Sequence, residues 1–229
     1  MVKKLVKCLV IIFFIQHLSY AKIGDEIVYY AKKFIGVPYD PDPIGAYVRE
    51  KKIVYDSEVD CMYLTFRVVE LALAGGDENK ALDFALDKRF KTHGILSNGK
   101  VLNYDDRFEY GEDMVLSGKW GKVINFDKNV IRYVYSSRLD TKIGYIPKKF
   151  YERIKGFIMN GDIIFLVKDP SRSIKGEIVG HLGILEVAQD VYIIHAKGSK
   201  NKGGVVVKEK LRDYLSKTKY IGFIITRFE

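Results

Sequence analysis

Apolar residues recur at Ile23, Ile27, Tyr30, Ala31 and Phe34, the spacing of one face of an amphipathic helix over Ile23–Ile35. Gly36 can end that helix, and Pro38, Pro41 and Pro43 then force an extended passage. From Cys61 to Ala74 the pattern changes. Met62, Leu64, Phe66, Val68, Val69, Leu71, Ala72 and Leu73 leave hardly any polar face, and Gly75-Gly76 closes the run. That predicts a buried helix with Cys61 at its start. Asn79–Asp87 reads as a second, short helix. From roughly Phe90 to Lys128 neither period is sustained, and Tyr104, Arg107, Phe108, Tyr110 and Trp120 suggest an ordered, irregular insert. Pro147–Phe157 restarts a helix, with proline in the first turn, where its missing N–H does no harm.

Thereafter the pattern is that of strands: Asp162–Val167, His181–Ala188, Val191–His195, Gly204–Val207 and Ile221–Arg227, with a short helix at Leu211–Leu215. Helices first and strands later predict an α+β domain whose antiparallel sheet carries the Cys61 helix across it.

Residues 1–21 stand apart from this pattern. Lys3, Lys4 and Lys7 precede the apolar run Cys8–Ile15, and Ser19-Tyr20-Ala21 offers small residues where a signal peptidase reads. The run is far too short to cross a bilayer, which takes about 20 residues. The expectation is an exported protein without a stable membrane span, its single domain occupying residues 22–229. Removing Lys3, Lys4 and Lys7 takes Lys+Arg from 38 to 35 against 29 Asp+Glu, so the net charge falls from +9 to +6. A scattered positive bias suits an anionic polymer or phospholipid surface, and the absence of a basic stripe argues against nucleic acid. Nothing in the chain speaks to oligomeric state.

Cleavage also leaves Cys61 as the only cysteine, so no intramolecular disulfide can form in an oxidising compartment. A lone thiol there is either an inert, buried small hydrophobe or a group in use. At a helix N-terminus the unpaired N–H groups favour a thiolate. Asp60 would oppose it if turned to the sulfur, and its simpler role is the N-cap. A cysteine nucleophile needs a base, and the base a partner that fixes its tautomer. His181 and His195 fall on successive strands that a hairpin would set side by side. A two-residue turn at Gln189-Asp190 would put the two histidines on opposite faces; an odd-length loop, placing His195 opposite Leu185, or a bulge would put them on the same face. Zinc is the rival use of Cys61, His181 and His195, although none of the close ligand spacings of zinc sites occurs. His93 reads as an exposed loop residue.

Taken in order, Gly36-Val37-Pro38-Tyr39, Asp60-Cys61, Gly161-Asp162-Ile163-Ile164-Phe165, Gly180-His181-Leu182-Gly183-Ile184 and Tyr192-Ile193-Ile194-His195-Ala196 resemble the NlpC-type, papain-like cell-wall cysteine peptidases. Within them the chain is most similar to an N-acetylmuramoyl-L-alanine amidase-like branch. The resemblance implies Cys61 as nucleophile, His181 as base, His195 as its orienting residue and Tyr39 as a substrate-binding residue near the thiol. It implies a peptidoglycan or muropeptide substrate and no metal or organic cofactor. A stem-peptide endopeptidase and a non-catalytic wall-binding protein are the alternatives. Bulky Met62 and Tyr63 follow the cysteine where the family commonly has small residues, and Glu109 stands near where the branch often has histidine.

Overall fold

A computed structural model of the chain describes residues 22–228. The expected leader over residues 1–21 lies outside the described residues. Helix α1 covers 22–33, and α2 is a single turn at Ala46–Arg49. Helix α3, Cys61–Leu73, has the bounds its apolar run predicts. The Asp60 carboxylate caps it by accepting the Tyr63 N–H at 2.8 Å. At the other end Gly75 and Gly76 adopt positive φ, and their N–H groups return to Ala72 and Leu71 as a Schellman closure. Ten of its thirteen residues are buried, so it is a core helix and not a surface one. Helix α4, Glu78–Lys88, packs on it.

The insert is ordered. It holds a small hairpin, β1 (Leu96–Ser97) with β2 (Lys100–Val101), then α5 (Gly111–Ser117) and β3 (Lys122–Val123). Trp120 is fully buried against Phe66 of α3, with ring centroids 4.7 Å apart. Next come β4 (Arg132–Ser136), β5 (Thr141–Pro147), α6 (Tyr151–Ile154), β6 (Ile163–Val167), β7 (Val179–Val187), β8 (Val191–Ser199), β9 (Gly203–Lys210), α7 (Leu211–Lys217) and β10 (Gly222–Arg227). The continuous helix expected over Pro147–Phe157 is absent. Pro147 ends β5, and 3-10 turns at Lys148–Phe150 and Lys155–Phe157 flank the one α-turn. Aromatic residues and Gly156 give that segment little helical propensity of its own.

The large sheet is antiparallel, in the order β4-β5-β10-β6-β7-β8-β9, with β3 also on β10. It is covered on both faces. Phe165, Leu182, Ile184, Ile194, Val206 and Ile224 face α3, while Ile164, Leu166, Leu185, Ile193, Phe223 and Ile225 face α6 and α7. Strands buried on both sides lose their polar alternation, which is why Ile163–Val167 is wholly apolar. The architecture is therefore a three-layer α+β domain, as the order of elements predicts.

Candidate active site

Pairing of β7 with β8 begins at Val187↔Val191 and reaches Ile184↔Ile194. The loop Ala188-Gln189-Asp190 thus has three residues, an odd number, as the two histidines require. The register differs from the expected one by two residues: continued, it sets His195 beside Gly183, not Leu185, and so closer to His181. A Cβ on Gly183 would crowd the Ile193 side chain and the Cβ of His195, so glycine gives the imidazole its space. The rings meet at 80°, with His181 Nε2 and His195 Nδ1 2.7 Å apart. Tyr214 of α7 covers them, its ring centroid 4.8 Å from that of His195.

Beyond Ile184 and Ile194 the two strands part, β7 staying with β6 and β8 with β9. Leu185 donates its N–H to Asp162 on the β6 side; by alternation Leu182 turns its N–H toward the gap. There it meets the Cys61 sulfur. The N–H of Leu182, next in sequence to His181, and the backbone N–H of Cys61 itself both bear on the sulfur and favour its charged form against burial. Tyr39, Tyr214 and Tyr220 wall the gap, each close enough to feel a charge on Cys61. Tyr39 is held by its N–H to Gly204 O and by a parallel bridge to Val59. His93 is exposed in the insert, away from this group.

One site residue escaped the sequence reading. Glu209 lies on β9, where Ile193 pairs with Glu209 and His195 with Val207, so Glu209 is the diagonal neighbour of His195 on the same face. Its Oε1 is 2.9 Å from His195 Nε2, and Lys197 Nζ is 3.0 Å from the same oxygen. The expected strand stopped at Val207, and the alternation Val205, Val207, Glu209 is the signal that would have included it. A carboxylate only accepts, which fixes the tautomers in turn. His195 donates from Nε2 and accepts at Nδ1; His181 donates from Nε2 and keeps a lone pair on Nδ1. Because the imidazoles spend their facing nitrogens on each other, they do not converge with Cys61 as zinc ligands would.

Charge is disfavoured on the thiol and on both imidazoles. Burial, then the His195 ring, push His181 down to about 3, and burial also lowers His195 against the pull of Glu209. Burial and the Asp60 carboxylate push Cys61 up to about 12. The helix start therefore does not produce the resting thiolate that its N–H groups favour; thiol and imidazole both rest neutral.

No protein-family model matches the chain, and no curated protein sequence does. Solved structures share its fold. An N-acetylmuramoyl-L-alanine amidase from Bacteroides uniformis superposes with a TM-score of 0.70 at 21% identity, over 90% of this chain and 99% of that one. A Legionella pneumophila protein of family DUF1460 gives 0.66 at 19% identity, over 92% and 90%. A Bacteroides fragilis protein provisionally described as a xylanase gives 0.67 at 20%, over 87% and 99%. The fold is common to proteins described by different activities, so function has to be argued from the site.

Proposed function

We propose that this protein is an exported, NlpC-type cysteine hydrolase that cleaves an amide bond of peptidoglycan, in the manner of an N-acetylmuramoyl-L-alanine amidase. The observation that carries the reading is the directed chain Glu209–His195–His181, which ends in a free imidazole lone pair beside the strand gap where Cys61 opens a helix. The same-fold amidase from Bacteroides uniformis favours the bond between glycan and stem peptide as the target. No helix among the described residues is long and apolar enough to cross a membrane, which fits a protein acting on the wall from outside a bilayer.

In this mechanism the Cys61 sulfur attacks the amide carbonyl while its proton passes to His181 Nδ1. The carbonyl oxygen takes the negative charge, and backbone N–H groups at the start of α3 and at Leu182 stabilise it. His181 returns the proton to the amine as the C–N bond breaks, leaving a thioester. Water, deprotonated by His181, then releases the acyl group and restores the thiol. Tyr39 walls the cleft against which substrate lies.

Mass spectrometry of muropeptides incubated with the purified protein tests this. Release of intact stem peptides from glycan is expected. Fragmented stems would replace the amidase reading with an endopeptidase one, and uncut substrate that stays bound would make the protein a wall-binding module.

A further inference from the structure

The β8–β9 turn reaches across the sheet edge to the cap of α3. Asn201 adopts φ 69° and donates its N–H to Pro41 O at 2.8 Å, and Gly203 follows at φ 74°. This turn aims Lys200 inward. Its Nζ lies 3.1 Å from Asp60 Oδ2 and 3.4 Å from Asp40 O, and 5.6 Å from the Tyr39 ring centroid. The neighbouring Asp40 carboxylate is fully buried, accepts the N–H groups of Asp42 and Ala46 at 2.9 and 2.7 Å, and stands 4.0 Å from Lys200 Nζ, farther than Asp60 does. Asp60 differs. One oxygen caps α3, and the other has Lys200 as its partner.

We propose that Lys200 is a positioning residue for the Cys61 nucleophile: its ammonium ties the β8–β9 turn to the helix cap and offsets the carboxylate that Asp60 holds beside the thiol. Groups that exchange electrostatic influence with the sulfur come from several elements: Asp60 at the head of its own helix, the Leu182 N–H of β7, Tyr39 from the N-terminal passage, Tyr214 from α7, Tyr220 ahead of β10, and Lys200 from the turn. Among the principal charged influences, Asp60 is the anion that opposes sulfur ionisation and Lys200 the cation that favours it. An exposed ion pair would contribute little. This one lies against a partly buried thiol, where an uncompensated carboxylate costs more than in open water.

The inference rests on Cys61 as the reactive thiol of the proposed function, but its test needs no substrate. Iodoacetamide is uncharged, and its rate of reaction with Cys61 can be followed in the full chain by mass spectrometry of the Cys61 peptide, from neutral to alkaline pH. Lys200→Met should slow labelling about tenfold at each pH below the titration of the thiol. Lys200→Arg should retain the wild-type profile. Asp60→Asn added to Lys200→Met should recover most of the rate, because asparagine still caps the helix but carries no charge. Thermal melts establish that each variant is folded. A Lys200→Met profile that superposes on wild type overturns the proposal. So does a loss that Asp60→Asn does not recover, since that is the mark of packing alone. Muropeptides left uncut while this labelling pattern holds would sink the amidase reading and leave the role of Lys200 standing.

Discussion

Two polar networks flank the core, one on either side of the sheet, and they end differently. Between α3 and the end of α4, Arg89 is bidentate to Glu70 at 2.6 Å through each nitrogen, and its third arm donates to Ile53 O at 2.7 Å. The rings of Tyr63 and Phe66 flank the guanidinium, and both charged side chains are buried. Every arm has a partner, so this network has nothing left to offer a ligand. Across the hairpin, Glu209, His195 and His181 form a chain of similar closeness that terminates in an unspent lone pair on His181, the residue before the Leu182 whose N–H bears on the thiol. A buried network that closes on itself holds a fold together; one left open at a single atom can move a proton.

The difference can be broken from either side. Cys61→Ala or His181→Ala should reduce hydrolysis by about 10,000-fold or more, because nucleophile and base act as a unit, while thermal melts stay near wild type. Arg89→Met should do the reverse. It strands a buried Glu70 charge and should cost about 3–5 kcal/mol of stability, with specific activity per folded molecule kept. A large activity loss in well-folded Arg89→Met would erase the distinction.

His195 sharpens it. His195→Ala should cost about 100-fold in kcat/KM, on the scale of a general acid–base contribution. His195→Gln should retain more, since an amide can still hydrogen-bond His181. Equal and complete inactivation by both would make His195 a proton-transfer group in its own right.

The smallest effect is on pH dependence. With His181 held down at about 3, the base stays neutral well below the ordinary histidine range near 6.5, so the acid limb of kcat/KM should lie below pH 6. Stability moves with it. Below about pH 6.5 the unfolded chain takes up protons that the packed imidazoles refuse, so stability falls as pH drops through that window and is regained as pH rises. An acid limb centred at 6.5 or above would mean that the His181 ring is solvated and the network open at both ends.

Local chemistry made much of this legible. The apolar run from Cys61, the Asp60 cap and the paired glycines located α3, because each acts within a turn or two of chain. Short runs rich in apolar and β-branched residues located β6, β7, β8 and β10 to within a few residues at most ends. The insert was less legible, since its fit depends on distant partners. Glu112 of α5 is fully buried and accepts the N–H groups of Ile178 and Val179, both at 3.2 Å, which anchors the start of the very strand that bears His181. Arg227 pairs with buried Asp162 at 2.6 Å, tying the last strand to the Gly161-Asp162 motif, a contact that no local pattern announces.

The sequence by itself determined the helix that presents Cys61, the antiparallel α+β layout, and the condition that His181 and His195 share a face only across an odd-length loop or a bulge. Tertiary structure alone decided the rest. It chose the register that sets His195 beside Gly183, brought Glu209 onto the second imidazole, and opened the gap where the Leu182 N–H meets the thiol. It also set Lys200 against Asp60. The reason is range: caps, periods and turns are fixed by neighbours along the chain, whereas register, burial and the charge state of a buried thiol depend on atoms that only folding brings within a few ångströms.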